Sequence, residues 1–509
     1  MSYAQNSDDL ESTASYATIW RDTEWNKVKR YVNKQRHRIF RAESEGKYRK
    51  VREIQRMLTR SSAIIKLAIL RVTQTNKGRR TPGVDGFVAR SDAQRGKLFV
   101  KIRNRNIKKH NPKPVKRIYI PKKNGKTRSL GIPTILDRVY QEILRLVLEP
   151  QWEARFEPTS YGFRPARRTH DALERIFFNS KSGKWNYVFE GDFKACFDTL
   201  SHDFIIEKLE GFPYVDVVEK ILKSGYVDEE NYYPTTQGTP QGGLLSPLLA
   251  NIALTGLEDC LNISYKTYAR KDGYEIIQTR GNYRSVRYAD DFLIFAQSKE
   301  EIKEVYSILE SYLKDRGLIL AEDKNKITTL KEGFNFLGFN IKMEDNRKCI
   351  IKPSKESIKD ARSKITEVFN YMKGHSVGEL ITELNPVIDG IAEYWKPLCS
   401  NEAFKSIDAP IWNRTMIFLK HLHSNKSMGW IVSKYFPKPT KNAKHKDQWI
   451  LTDPKSGIQL HKMRWTKIER HNMVKGNYSP LDKGKSEYFK NAIFLLVNAR
   501  IKVYLSRMW

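Results

Sequence analysis

The chain is poor in cysteine, in acidic residues and in long apolar runs. Four cysteines occur in 509 residues, at positions 196, 260, 349 and 399. None forms a Cys-x-x-Cys pair, which argues against a zinc ribbon, and the scattered thiols fit a reducing compartment. No apolar stretch approaches the roughly 18 residues that a membrane-spanning helix requires. The greasiest segment near the end, Ala492 to Val497, is far shorter. Residues 1–20 contain Asp8, Asp9 and Glu11 but no Lys or Arg, unlike a secretory signal or an organelle transit peptide. Asp and Glu number 58 against 91 Lys and Arg, a formal net charge of +33. That imbalance calls for a polyanionic partner, nucleic acid ahead of an anionic membrane. The length suggests about three domains, and 40% hydrophobic residues suffice for sizeable cores.

The most informative stretch is Arg287-Tyr288-Ala289-Asp290-Asp291-Phe292-Leu293-Ile294-Phe295-Ala296. Apolar residues flank two adjacent acids, which predicts two short strands joined by a tight turn with the acids at its tip. Like charges this close repel, and a divalent cation gives the pair a reason to exist, because hard cations take oxygen ligands. A solvated Asp-Asp turn is the plainer alternative. A second acid has a matching setting. Residues 187–193 read as a strand rich in aromatic and β-branched residues, with Asp192 near its end on the face opposite Phe189 and Phe193. Two-metal centres need carboxylates from separate elements to clamp cations about 3.5–4 Å apart, and these two segments supply them.

Further blocks make a resemblance specific. They are Thr81-Pro82-Gly83-Val84-Asp85-Gly86, Ile120 to Thr134, Ser160-Tyr161-Gly162-Phe163-Arg164-Pro165, Gln237-Gly238-Thr239-Pro240-Gln241-Gly242-Gly243 and Phe336-Leu337-Gly338-Phe339. Together with the Tyr-Ala-Asp-Asp box, their order and spacing resemble the group II intron reverse transcriptase/maturase family from about residue 20 to about 480. The resemblance implies an α+β right-hand polymerase, with fingers and an antiparallel palm sheet followed by a helical thumb and maturase region. It divides the chain into an N-terminal helical RNA-binding extension (1–80), fingers and palm (81–342), thumb and maturase region (343–428), and a basic DNA- or RNA-binding segment (429–509).

The same resemblance assigns roles. Asp192, Asp290 and, more weakly, Asp291 would hold two Mg²⁺, with the Phe193 backbone carbonyl as a further ligand. Lys122 and Arg128 would grip the incoming triphosphate. Phe197, five residues past Asp192, would be an aromatic gate against a ribose 2′-hydroxyl, or else simply core. Gln241 would shape the nucleotide pocket, and Lys324 would donate a proton to pyrophosphate. Tyr161, Phe163 and Arg164 resemble template-contacting residues, and Gly338 lies in the block expected beside template and primer. The implied partners are intron RNA, a DNA target or primer, and deoxynucleoside triphosphates, with no membrane. The implied compartment is a bacterial cytoplasm or an organelle interior.

Local patterns complete the reading. From 25 to 70 the chain reads helical and basic. Residues 101–128 hold twelve Lys or Arg and no Asp or Glu, a basic fingers surface suited to phosphate contacts. A helix is expected over 202–224 and another up to 260. Ser298 with Glu301 forms a capping box, and Gly317 supplies the stop of that helix. Asn385-Pro386 is read as a helix start. Residues 430–509 carry 17 basic and 5 acidic residues. Their histidines, and His421 and His423 just before, read as RNA contacts or surface rather than metal ligands. Many family members end in a zinc-dependent His-Asn-His endonuclease, whose Cys-x-x-Cys pairs are missing here. Three functions fit: an intron-encoded reverse transcriptase that also aids splicing, a maturase with a vestigial polymerase, or a reverse transcriptase with a non-intron role such as defence. The intact acids favour the first, as does the helical tail.

Overall fold

The computed structural model describes residues 14–121, 125, 127–269, 275–321, 325–439, 445 and 447–490. After a helical stretch over 14–21 come two basic amphipathic helices, Trp25–Ser44 and Tyr48–Thr59, and a largely apolar one, Ser62–Leu70. They pack on the long helix Ile135–Glu153, most of which is buried. Buried ion pairs fix this seam, with Arg36 on Glu149 and Arg71 on Glu142 (2.7 Å). Burial pushes the Glu142 carboxyl up, but Arg145 and Arg71 outweigh it and hold it down at about 2. Burying such charges is tolerable only because each is paired.

The strands in chain order are β1 (Val115–Pro121), β2 (Thr127–Ile132), β3 (Tyr187–Gly191), β4 (Tyr226–Asp228), β5 (Asn231–Tyr233), β6 (Ser264–Ala269), β7 (Glu275–Arg280), β8 (Arg284–Tyr288), β9 (Asp291–Ala296), β10 (Lys326–Thr329), β11 (Phe334–Phe336), β12 (Phe339–Met343) and β13 (Cys349–Pro353). The fingers sheet has the order β2-β1-β4-β5 and the palm sheet β10-β3-β9-β8. Strands β11, β12 and β13 form a third sheet, and β6 and β7 a separate hairpin.

Every pairing within the palm sheet is antiparallel, yet both of its faces are covered. On one face Phe189, Phe292, Ile294 and Ala296 join a core with Ile302, Val305 and Leu309 of the helix Lys299–Arg316. On the other, Val188, Val286, Leu293 and Phe295 join β11–β13 and the helices Lys355–Tyr371, Val377–Trp395 and Asn401–Leu422. Two-sided burial explains the unbroken apolar run Phe292–Ala296, where a half-exposed strand would alternate. Each of its Phe, Leu and Ile side chains contributes about 1.5–3 kcal/mol. The helix Lys299–Arg316 has the expected capping box from Ser298 and Glu301 and ends at Gly317 with φ 67°.

Three expectations are corrected. The segment 202–224 is two helices, His202–Lys208 and Val215–Leu222, broken where Gly211 takes φ 79° just ahead of Pro213. The helix expected to run to 260 is likewise split, at Gly256 with φ 102°. Asn385-Pro386 does not start a helix. Helix Val377–Trp395 starts at a capping box of Ser376 and Glu379 and runs through Pro386. The proline sits on the exposed face, so the carbonyl of Thr382 that loses its N–H donor can turn to water. Asn385 instead binds the chain's far end, donating to Gln459 O (2.9 Å) and accepting from the His461 N–H (2.8 Å).

The segment 463–490 runs back across the palm as a strap. Buried Asp171 accepts from the Val474 N–H (2.8 Å) and pairs with His471 (3.0 Å), and Arg470 pairs with Glu174 (2.7 Å). The strap reaches the helix Trp25–Ser44 where the His37 ring meets Leu481 O (2.8 Å).

Candidate active site

The palm register brings the separated acids together. Gly191 pairs with Phe292, and Tyr288 with Asp291. Extended by one residue, that register sets Asp192 opposite Asp291, and opposed residues of antiparallel strands lie about 4.5–5.5 Å apart at Cα. Asp192 and Asp291 share the face of Val188, Leu293 and Phe295, away from the core that takes Phe193 and Phe292. Asp192 and Asp290 are half-buried and Asp291 is exposed.

Backbone bonds fix the end of β3. The Asp192 N–H donates to Asn325 Oδ1 (2.7 Å), and its carbonyl accepts from Ala321 (2.9 Å). The Lys194 N–H donates to Ile319 O (2.8 Å). This pattern makes Phe193 and Leu320 a non-hydrogen-bonded pair, so the Phe193 carbonyl points to the opposite edge, where β9 and its turn lie. Its ring stacks on Phe292 at 4.9 Å. The buried Cys196 thiol is pushed up by burial first, then by Asp290, with Asp192 and Asp198 adding to it.

The turn between β8 and β9 has two residues, Ala289 and Asp290, and Ala289 takes φ 60°. A positive φ there matches the twist of the strands, but an alanine holds it only when its surroundings insist. Gly162 supplies part of that pressure. A Cβ at Gly162 would lie 2.3 Å from Ala289 N. The strip Thr159–Tyr161 runs beside β8, with Tyr161 N–H donating to Arg287 O and Arg287 N–H to Thr159 O, both 2.9 Å.

A second group of residues lies between fingers and palm. After Ala195 (φ 50°) the chain turns into the short helix Cys196–Thr199, which carries Phe197. The Phe197 carbonyl accepts from Thr239 (2.6 Å), and Gly238 N–H donates to Leu200 O (2.7 Å). Gly238 must be glycine here, because a Cβ would meet Asp198 O at 2.6 Å. The next residues tie this loop to the fingers. Gln241 O accepts from Gly131 (2.6 Å), and Gln241 Oε1 from Arg128 Nε (2.9 Å). Between them lies a cavity of about 210 Å³ bordered by Arg117, Ser129, Phe197, Asp198, Thr239 and Gln241.

Three stretches of the chain match known protein families. Residues 20–102 match the family described as the N-terminal domain of reverse transcriptase. Residues 120–341 match reverse transcriptase (RNA-dependent DNA polymerase), and residues 358–436 match the group II intron maturase-specific domain. Protein YkfC of Escherichia coli is 34% identical over 327 residues, covering 57% of this chain and 83% of that protein. The chain belongs to the group II intron reverse transcriptase/maturase family. The group II intron-encoded protein LtrA of Lactococcus lactis is 32% identical over 328 residues, 53% of this chain and 53% of LtrA, so the match spans about half of that relative. A solved telomerase structure from Candida albicans has 15% identity and a TM-score of 0.36, covering 64% of this chain and 65% of that one.

This group II intron reverse transcriptase thus has a polymerase domain joined to a maturase-specific one, and reverse transcriptases as a family use a divalent metal. Among the described residues, no three His, Cys, Asp or Glu side chains close into a ready-made metal cage. Mg²⁺ does not require one, since it keeps several waters and binds through one or two carboxylates plus substrate phosphates. Asp192, Asp290 and the Phe193 carbonyl are an all-oxygen set of that kind. No helix of the described residues is long and apolar enough to cross a membrane.

Other expected site residues fall out differently. Lys122 and Lys324 lie outside the described residues. Arg164, expected at the template, is buried and bonded within the protein. Its guanidinium makes two 3.0 Å bonds to the Glu153 carboxylate and also donates to Glu157 O (2.6 Å) and Ser160 O (2.7 Å). Tyr161 is 1% exposed, so its ring is not open to base stacking. Phe163 is exposed, but its ring meets Phe197 edge-on at 6.2 Å, beside the expected sugar gate. Gly338 (φ 83°) forms the β11–β12 turn with Leu337, and its carbonyl accepts from Ser357 Oγ (2.6 Å). Among the expected histidines from 421 onward, His423 meets Tyr435, His461 meets Asp389 and His471 meets Asp171. Sequence reasoning missed Asn251 and the Arg287 side chain, whose partners are distant in sequence. The only local cue was an arginine inside an apolar strand.

Proposed function

We propose that this reverse transcriptase extends a DNA primer on intron RNA and binds that RNA as a splicing maturase, with Asp192 and Asp290 as the carboxylates of the polymerase centre. The observation that supports this most is the β3–β9 register, which sets Asp192 beside the Asp290–Asp291 turn. Held by Asp192, Asp290 and the Phe193 carbonyl, with Asp291 the weaker ligand, two Mg²⁺ would acidify the primer 3′-hydroxyl and offset charge on departing pyrophosphate. The protein groups position the reactants and stabilise charge, as in phosphoryl transfer generally.

Arg128 presents a planar guanidinium to the triphosphate, aligned from behind by Gln241. Phe197 cannot accept a hydrogen bond from a 2′-hydroxyl, and its ring occupies the space that hydroxyl would need, so the site favours deoxynucleotides. Gln241 shapes the pocket floor, and Gly338 lies on the primer side. Lys122 on the triphosphate and Lys324 as proton donor to pyrophosphate rest on similarity alone. The division at residues 80, 342 and 428 belongs to the same reading, as do intron RNA, target DNA and deoxynucleotides as partners. Asp290→Ala tests it. Primer extension on an RNA template should vanish while intron RNA affinity stays nearly unchanged. Retained extension would refute the assignment, and joint loss of both properties would make the acid structural.

A further inference from the structure

Behind the catalytic turn lies a buried charge that the chemistry above does not use. Arg287 is 1% exposed and heads the bulkiest fully buried side chains among the described residues. Burying a guanidinium is costly unless its charge and its donors are both met. Its Nη1 donates to Asn251 Oδ1 (3.1 Å) and to Ala289 O (3.3 Å). Its Nη2 lies 3.7 Å from Glu157 Oε2, close enough to offset charge but too long for a hydrogen bond. Glu157 is itself fixed, because its Oε1 accepts from the N–H groups of Gly256 (2.8 Å) and Glu258 (2.9 Å). Asn251, also 1% exposed, donates its Nδ2 to Gly162 O (2.8 Å). Gly162 lies against Ala289, too close for a Cβ between them. Arg287, Asn251, Gly162 and Ala289 therefore close a ring around the peptide that precedes Asp290.

We propose that Arg287 and Asn251 are positioning residues that set the direction in which Asp290 presents its carboxylate. The proposal rests on the reading of Asp290 as a polymerase carboxylate. The peptide group is planar, so a hydrogen bond to the Ala289 carbonyl fixes the plane that also contains the Asp290 nitrogen and Cα. The positive φ of Ala289 is a conformation that persists only when its neighbours over-determine it, and the ring does so from both sides. Arginine suits the task because its flat fork reaches Asn251, Ala289 and Glu157 together, whereas a lysine ammonium is a compact point charge without that planar spread.

The test uses the full chain with Arg287→Lys, Asn251→Ser and the double variant, each checked for folding by thermal unfolding. The kcat for primer extension in Mg²⁺ should fall about 10²-fold, the loss typical of a misplacement near 1 Å. The deoxynucleotide KM should stay within about twofold, marking a transition-state rather than a binding defect. Mn²⁺ should restore about tenfold of the rate, because Mg²⁺ is the ion that demands near-ideal octahedral geometry. Mn²⁺ binding to the free protein, read by electron paramagnetic resonance, should weaken in both single variants. The double variant should lose no more than the worse single, since both residues act through one ring.

Unchanged kcat in the folded single variants would overturn the proposal. So would a KM effect alone, or additive losses with normal Mn²⁺ binding. If Arg287→Lys does not fold, Asn251→Ser decides the matter, because it removes no charge. Asp290→Ala run alongside separates the two claims. Retained extension there would sink the carboxylate reading, and this proposal with it. A dead Asp290→Ala beside fully active ring variants would sink the positioning claim alone.

Discussion

Gly162→Ala should slow polymerisation without dismantling the protein. An added Cβ would stand 2.3 Å from Ala289 N and 3.0 Å from Ala289 Cα, where ordinary contact begins at 3.4 Å. One backbone must therefore retreat by about 1 Å. The Gly162 side resists, because Asn251 holds its carbonyl and the Tyr161 N–H is bonded to Arg287 O. The turn yields more readily, since Ala289 and Asp290 are the two residues outside the β8–β9 ladder. The atom displaced is the amide nitrogen of the residue before Asp290. A shift of this size costs about 10²-fold in rate, while overpacking costs about 1–3 kcal/mol of stability, which a folded domain survives. Single-turnover primer extension on an RNA template is the assay, with thermal unfolding and RNA affinity measured in parallel. The rate constant should fall about 10²-fold, the Tm by a few degrees, and the affinity not at all. A lowered Tm with an unchanged rate constant would refute the reasoning, because the contact would then be structural only.

Phe163→Ala removes the ring packed edge-on against Phe197 and should raise ribonucleotide incorporation, though less than Phe197→Ala does. The measurement is the ratio of kcat/KM for deoxy- and ribonucleotides, and an unchanged ratio in both variants would remove the gate. Glu258 is pushed up to about 7, by burial first and then by the Glu157 carboxylate. An acid raised in the folded state adds stability while protonated. That contribution is complete below its ordinary value of 4.5 and is lost as pH rises through about 7. Glu258→Gln mimics the protonated form, so it should match the wild type at about pH 4 and exceed it in Tm at about pH 8; a pH-independent difference would contradict this. Asp171→Ala strips the buried acceptor from Val474 and His471, at about 1–3 kcal/mol. Limited proteolysis should then cut within 463–490 sooner, and an unaltered digestion pattern would show that the strap is held elsewhere.

What was legible in the sequence was local. The hairpin at Asp290–Asp291 and the strand before Asp192 follow from apolar runs of strand length, and the helix after Ser298 follows from its cap. The misread helix start at Asn385-Pro386 had its remedy nearby, since Ser376 and Glu379 form the same capping box as Ser298 and Glu301. Proline in a first turn and proline on an exposed helical face look alike until burial is known. The break in 202–224 rests on Gly211 and Pro213, which an apolar count overlooks. The rest was illegible because its causes are distant. Arg164 reads as a template contact until Glu153 is folded against it. Arg287 reads as a basic neighbour of the acids until Asn251 and Glu157 enclose it. The strap's anchors, Asp171 and Glu174, lie about 300 residues from His471 and Arg470, and no periodicity links positions so far apart.

The central claim is that Asp192 and the Asp290 turn hold the cations of polymerisation beside Phe197. Anomalous diffraction from crystals containing RNA template, DNA primer, a non-hydrolysable deoxynucleotide and Mn²⁺ tests it most directly. The account predicts anomalous peaks in coordination contact with carboxylate oxygens of both Asp192 and Asp290, with the nucleotide sugar against the Phe197 ring. Peaks at other side chains, with those two carboxylates uncoordinated in a complex that still extends primers, would contradict it.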